Sequence, residues 1–257
     1  MSGPRWQALV LAAGRGPGDP LAGAYGVANK CAIPVGGVPM LRRVHDALAA
    51  SGLFSSIAVS IDDETIAHAV LRPSARVLAS ATSAPASVLA AVASGALRYP
   101  LLITTGDHAL LTPRMLAHFC AASETSGADF TVGLARAEIV LAAYPESVRT
   151  FFRLGSDRVS GCNLFALLNA RGLRLLERWQ YLEQARKKPW RLVAAFGPVA
   201  LLRFALGRLS LDAAFATVSA RLGLAVKPVI MPFAEAAIDV DKPADKDLAE
   251  KILGTRR

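Results

Sequence analysis

Over roughly the first 135 residues, short apolar runs alternate with stretches of helical period, and this alternation constrains the fold more than any other feature. Gln7–Ala12 is apolar without a helical period and runs into a Gly/Pro-rich loop, so it reads as a buried strand. Pro39–Ser51 sets Met40, Leu41, Val44 and Leu48 at helical spacing and stops at Gly52, a glycine C-cap. The same reading predicts strands at Ile57–Ile61, Arg76–Ala79, Leu101–Thr105 and Ala128–Leu134. Helices are predicted between them at Asp63–Leu71, Ala86–Leu97 and Pro113–Ser126, the last with proline in its first turn. A helix between two strands returns the chain to the end it left, so such strands pair in parallel. The expectation is an α/β protein of three layers, with a mixed, mostly parallel sheet and helices on both faces. Ligands of such sheets gather at strand carboxyl ends, which singles out the loops after Ala12 and Thr105.

The pattern then changes. Arg149–Leu154 and Arg158–Val159 flank Gly155-Ser156-Asp157, a hairpin signal. Helices are predicted over Leu167–Lys187, Ala194–Gly207 and Leu211–Leu222, followed by a strand at Leu224–Met231 and a closing helix at Ala244–Leu253. The length of 257 residues, without repeats, predicts a single domain over 1–257 that carries a helical insertion at 163–223.

Composition narrows the function classes. With 53% hydrophobic and 19% charged residues the chain is not disordered. The apolar run near Val193–Leu202 is short and broken by Gly197 and Pro198, and no secretory leader pattern is visible, so a cytoplasmic protein is expected. The cysteines, Cys31, Cys120 and Cys162, are scattered without a CxxC pair and predict buried thiols, neither disulfides nor a zinc site. The net charge of +9 suits phosphate-rich ligands or an anionic surface. It is concentrated: between Arg171 and Arg208 nine basic residues face two acidic ones. That segment has three readings: a helical cap with a solvated face, a lid that supplies cations to a phosphorylated acceptor, or a peripheral contact of 167–208 with an anionic membrane. No nucleic-acid-binding module is recognisable, so no nucleic-acid partner is expected.

Four motifs carry chemistry. Leu11-Ala12-Ala13-Gly14-Arg15-Gly16-Pro17-Gly18 follows a strand, and its glycines let backbone N–H groups approach phosphate oxygens. It lacks the Gly-Lys-Ser/Thr of a Walker A loop, and it does not open a helix at once as a dinucleotide fingerprint does. Asn29-Lys30 precedes Ile33-Pro34-Val35-Gly36-Gly37-Val38-Pro39, and a lysine on such a loop can act as a mobile counter-charge to a triphosphate. The apolar strand Leu101–Thr105 ends in Gly106-Asp107, which puts a carboxylate able to hold Mg²⁺ at the ligand edge. His108 beside it reads as loop structure, because Mg²⁺ prefers oxygen. In Ile238-Asp239-Val240-Asp241-Lys242-Pro243, a strand would turn Asp239 and Asp241 to one face. For each motif the structural alternative is a turn, a cap or a solvated side chain.

Taken together, LAAGRG, the lysine, PVGGVPML, the Gly-Asp strand end and DVDKPAD resemble the nucleotidyltransferases of the molybdenum-cofactor guanylyltransferase type, in the wider group with sugar-phosphate and alditol-phosphate cytidylyltransferases. The resemblance covers about residues 1–135 and 224–255 and implies a Rossmann-like, GT-A-like fold. It further implies transfer of a nucleotidyl group from a nucleoside triphosphate (CTP or GTP) to a small phosphorylated acceptor, with Mg²⁺ or Mn²⁺ and loss of pyrophosphate. By the same resemblance Ala12, Ala13, Gly14 and Gly16 lie along the nucleotide and Ser87 beside its base. Lys30 and Asp107 are catalytic. Asp107 and Asp241 hold the metal, with Asp239 as the second choice. Two departures stand out. The arginine usual a few residues after the second loop glycine is replaced by Gly18-Asp19-Pro20, which leaves Arg15 as its substitute, and Asn29 replaces the proline usual before the lysine. The alternative function is a non-catalytic nucleotide-binding or membrane-surface protein on the same fold.

Overall fold

The structure, a computed structural model, describes residues 6–14, 16–183 and 197–255. The first strand, β1 (Trp6–Leu11), lies inside the sheet, and Ala8, Leu9 and Val10 have no exposed surface. The chain then forms α1 (Pro20–Tyr25), a short antiparallel pair β2 (Pro34–Val35) and β3 (Val38–Pro39), and α2 (Met40–Ala50). Gly18-Asp19-Pro20 was expected to be loop; instead the Asp19 carboxylate accepts the N–H groups of Leu21 and Ala22, and Pro20 sits in the first turn of α1. An N-cap with proline behind it starts a helix even when that helix is too short to show periodicity. The PVGGVP string is a hairpin because Gly36 and Gly37 both take positive φ, 58° and 79°, as a two-residue turn between twisted strands requires.

Next come β4 (Phe54–Ile61), α3 (Glu64–Val70), β5 (Arg76–Ala79), α4 (Ala84–Ala93), β6 (Leu101–Thr105), α5 (Pro113–Thr125) and β7 (Phe130–Arg136). Strand β1 pairs in parallel with β4 and β6, and β4 with β5, as the alternation predicts. After α6 (Ala137–Ala143), β8 (Phe152–Leu154) and β9 (Asp157–Leu167) form the expected hairpin. The helices α7 (Leu173–Glu183), α8 (Pro198–Ala205) and α9 (Leu211–Leu222), the strand β10 (Val226–Ile230) and α10 (Pro243–Thr255) complete the described chain.

Among the described residues the main sheet has eight strands in the order β10-β7-β9-β6-β1-β4-β5, with β8 added to β9. The architecture is the expected three-layer α/β sandwich with a mostly parallel sheet. One boundary differs: residues 163–167, assigned from sequence to the helical insertion, complete β9, and the α-helix begins only at Leu173. Strand β9 runs antiparallel between β6 and β7, hydrogen-bonded on both edges, and Leu164, Ala166 and Leu167 are fully buried. An apolar strand buried on both faces loses its alternation and cannot be told from a helix by period.

The core has three main parts. One lies under α2 and α5, with Leu41, Val44, Leu116 and Phe119. Another lies under α4, α7 and α9, with Val88, Leu176 and, partly buried, Phe215. A further cluster sits at the carboxyl edge and joins Ile33, Val35, Leu110, Ile238, Val240 and Ile252. These residues neighbour three of the four motifs in sequence, and Leu21 of the same cluster follows the first, so burying them draws the motif segments together.

Candidate active site

Each motif reaches the carboxyl edge by a different device. Gly106 continues β6, and its N–H donates to Leu11 O at 2.9 Å. A Cβ there would stand 2.9 Å from Cys31 Sγ and 3.1 Å from the Ala12 Cβ, so only glycine lets three segments meet this closely. Asn29 is the latch for Lys30. Its Oδ1 accepts the Cys31 N–H at 2.9 Å and caps the 3₁₀ turn Lys30–Ala32, and its Nδ2 donates to Ala12 O at 2.8 Å. The asparagine that departs from the family pattern thus ties the lysine turn to the glycine loop.

The result is a buried ion cluster. The Lys30 ammonium donates to Asp107 Oδ2 at 2.5 Å and also pairs with Asp241. Two carboxylates from segments 134 positions apart therefore meet on one cation, the Lys30 ammonium. Thr105 Oγ1 donates to Asp107 Oδ1 at 2.5 Å, and the Val240 N–H donates to Asp107 O at 3.1 Å. Burial alone would lower the pKa of Lys30, but Asp107 and Asp241 outweigh it and the net shift is upward, so the ammonium stays charged. Burial, with Asp107 nearby, pushes the Cys31 thiol up, so it is no nucleophile at neutral pH. All three cysteines are buried thiols, as expected.

A cavity of about 420 Å³ opens beside the cluster, lined among others by Ala13, Gly14, Lys30, Asp62, Ser87 and Asp107. Ser87 sits in the first turns of α4, where its Oγ accepts the Ala81 N–H at 2.9 Å and donates to Ser83 O at 3.0 Å. Of the remaining expected residues, Ala12 is buried beneath the cavity, while Gly16 lies exposed in the loop and does not line it. Arg15 lies outside the described residues.

Asp239 does not share a face with Asp241. Residues 238–241 belong to no strand, so strand alternation does not apply. The Asp239 carboxylate pairs with the Arg149 guanidinium and accepts from Asn163 Nδ2 at 2.7 Å. Arg149, Asn163 and Asp62 are residues that sequence reasoning missed. Asp62 Oδ1 accepts the Gly14 N–H at 3.2 Å, and its place after a buried strand could have flagged it. Arg149, expected in the first arm of the hairpin, lies in the loop before β8, and Asn163 lies in the middle of β9; neither position signals a role at the site.

The donor set fits one hard divalent cation. Among the described residues no three His, Cys, Asp or Glu side chains are grouped to hold a metal. Mg²⁺, however, is commonly held by one or two carboxylates and completed by substrate phosphates. Asp107 and Asp241 already converge on a cation, the ammonium of Lys30.

Residues 8–199 match the family described as MobA-like NTP transferase domain. Among solved structures, a hypothetical transferase from Thermus thermophilus is 28% identical with a TM-score of 0.80, over 95% of this chain and 100% of that one. A CMP:2-keto-3-deoxy-manno-octonic acid synthetase complexed with CTP aligns with a TM-score of 0.59 at 13% identity, over 99% of this chain and 100% of that one. A 4-diphosphocytidyl-2C-methyl-D-erythritol synthase from Anaerococcus prevotii DSM 20548 gives 0.59 and 13%, over 97% and 98%. At 13% these two share the fold alone. No curated protein matches the sequence. The chain belongs to the MobA-like NTP transferase domain family.

Proposed function

We propose that the chain transfers a nucleoside monophosphate from CTP or GTP to a small phosphorylated acceptor and releases pyrophosphate. The observation that supports this most is the meeting of Lys30, Asp107 and Asp241 beside a cavity that Ala13, Gly14 and Ser87 line. Ala13 and Gly14 bring backbone close to the phosphates, and the Ser80–Ser87 wall meets the base. A divalent ion held by Asp107 and Asp241 would neutralise phosphate charge when bound. Lys30, on a flexible stem, then turns its ammonium to the outer phosphates and stabilises the charge that the leaving pyrophosphate gathers. An acceptor phosphate oxygen attacks the α-phosphorus, and the bond to the β-phosphate oxygen breaks. No protein nucleophile is required, so catalysis rests on position and charge.

The test is a thermal-shift screen of four NTPs with Mg²⁺, then pyrophosphate release against phosphorylated acceptors. Asp107→Asn, which leaves Lys30 paired with Asp241, should keep the chain folded and lower turnover by roughly 100-fold or more. Wild-type turnover in that variant would remove Asp107 from the mechanism. Failure of all four nucleotides to shift the wild-type midpoint would reject the reading as a whole.

A second reading, contact with an anionic membrane surface, is favoured by α8. Val199, Leu202, Phe204 and Leu206 are exposed on and just after this helix, with Arg203 and Arg208 among them. Among the described residues no helix is long and apolar enough to cross a membrane.

A further inference from the structure

We infer that Arg149 is the positioning residue of this site and that Asp239 is its anchor rather than a ligand, so that the two aspartates of the Asp239-Val240-Asp241 string do opposite work. This inference rests on the reading of Asp107 and Asp241 as the pair that holds the cation. Arg149 Nε donates to Ala237 O at 2.7 Å, and its second nitrogen reaches Asp239 O at 3.2 Å as well as the Asp239 carboxylate. Its side chain is largely buried. The other Asp239 oxygen accepts from Asn163. One guanidinium therefore fixes both carbonyls and the carboxylate of the segment that ends in Asp241.

Asn163 takes its place through a backbone irregularity. Its φ is 50°, positive for a residue that is not glycine, and it lies where β9 slips register against β7. Strand β6 stops pairing with β9 at Leu164. The bulge thus faces the segment where β6 gives way to Gly106-Asp107. Bulges re-aim side chains next to sites, and positive φ in a non-glycine residue is kept where the surroundings hold it.

A second anchor is the Val240 N–H on Asp107 O. Between these two grips Asp241 has little freedom, and it is set against Lys30. Arg149 also stands close enough to Asp107, Asp241 and Asp245 to feel their charge. The cluster therefore has a fixed cation and a movable one. A planar, always charged guanidinium with five donors suits the fixed role, and a lysine stem suits the movable one. Removing a group that orients a metal-holding carboxylate usually weakens metal affinity by about 10- to 100-fold.

The test has two arms on the purified full-length chain. In the first, without metal, the rate of Lys30 reductive methylation is measured by mass spectrometry relative to exposed Lys251. If Arg149 places Asp241 on Lys30, Arg149→Met raises this ratio by about tenfold or more. Arg149→Lys recovers part of the protection, and Asn163→Gly, which tolerates the positive φ, raises the ratio less than Arg149→Met. An unchanged ratio in Arg149→Met, whatever its melting point, overturns the proposal. In the second arm, Mn²⁺ binding is read from the free-ion electron paramagnetic resonance signal. Asp241→Asn should lose binding, whereas Asp239→Asn should retain it at reduced affinity. Equal loss in both would make Asp239 a ligand and overturn the assignment of opposite roles. If the labelling contrast holds but wild type binds no Mn²⁺ even with nucleotide, the positioning stands and the metal reading of the site falls.

Discussion

Lys30 shows how one side chain can have two jobs at the residue scale. In this structure it pairs with the buried Asp107 and the half-buried Asp241, and in the proposed reaction it leaves them for the triphosphate. Removing one partner from a buried ion cluster strands the others, at a typical cost of about 3–5 kcal/mol. Lys30→Met should therefore lower stability at neutral pH. Its raised pKa keeps the pair charged from neutral pH up through 10.5, so the loss should not vary across the physiological range. Millimolar Mg²⁺ should raise the melting midpoint of the variant more than that of wild type, because the bare carboxylates then hold the ion without displacing an ammonium. Equal Mg²⁺ shifts in both proteins would show that the ammonium does not occupy the cation position. Lys30 and Asp107 were legible because each ends a pattern, a glycine-rich loop or an apolar strand. Arg149 was not legible, since what defines it is contact with Ala237 and Asp239 across the fold. The ranking of Asp241 over Asp239 came from the resemblance alone, for a related reason. Their different partners, Lys30 and Arg149, are supplied by other segments.

At the element scale, β9 decides how the halves join. It lies between the parallel block around β1 and the parallel pair β7–β10, and it is antiparallel to both flanks. The parallel block was legible because helices separate its strands. The place of β9 was not, because burial on both faces of the sheet blurred its alternation. Asp129 knots this junction. Its carboxylate accepts the Ala225 N–H at 2.7 Å and Asn169 Nδ2 at 2.9 Å, while its carbonyl accepts the Leu168 N–H at 3.0 Å. The exit of β9 and the entry of β10 are thereby tied to the start of β7. Burial pushes the Asp129 pKa up, but the Ala225 N–H, Asn169 and the neighbouring arginines outweigh it, and the net shift is below 3.8. A carboxylate with a depressed pKa contributes stability that is present above its unfolded value and lost as pH falls through the folded one. Asp129→Asn should cost about 1–3 kcal/mol at pH 7 by urea denaturation, and the gap to wild type should narrow as the pH drops below 3.8. A gap that persists unchanged in acid would mean that shape, not charge, holds the knot.

At the scale of the whole molecule, polar and apolar features are segregated. The cavity at the carboxyl edge takes its charge from Lys30, Asp62 and Asp107, whereas the helices after β9 carry arginines among exposed apolar side chains. Val199 is 62% exposed, Leu202 60% and Leu206 59%. Scattered singly, such residues are ordinary on a protein surface, but crowded around one short helix they mark a contact face. Arginine beside leucine and phenylalanine suits an interface that is apolar beneath and anionic above, which describes a membrane with acidic headgroups. The chain should therefore co-sediment with vesicles that contain phosphatidylglycerol and much less with phosphatidylcholine alone. Half-molar salt should release it, since screening shortens the reach of the arginines to about 4 Å. Leu202→Glu with Leu206→Glu should abolish sedimentation and leave the melting midpoint and the nucleotide shift as they are, because both side chains point away from the core. Vesicle binding that survives this pair of substitutions would assign the contact to another face. Binding to neither kind of vesicle would leave the basic helices as a solvated cap over the sheet.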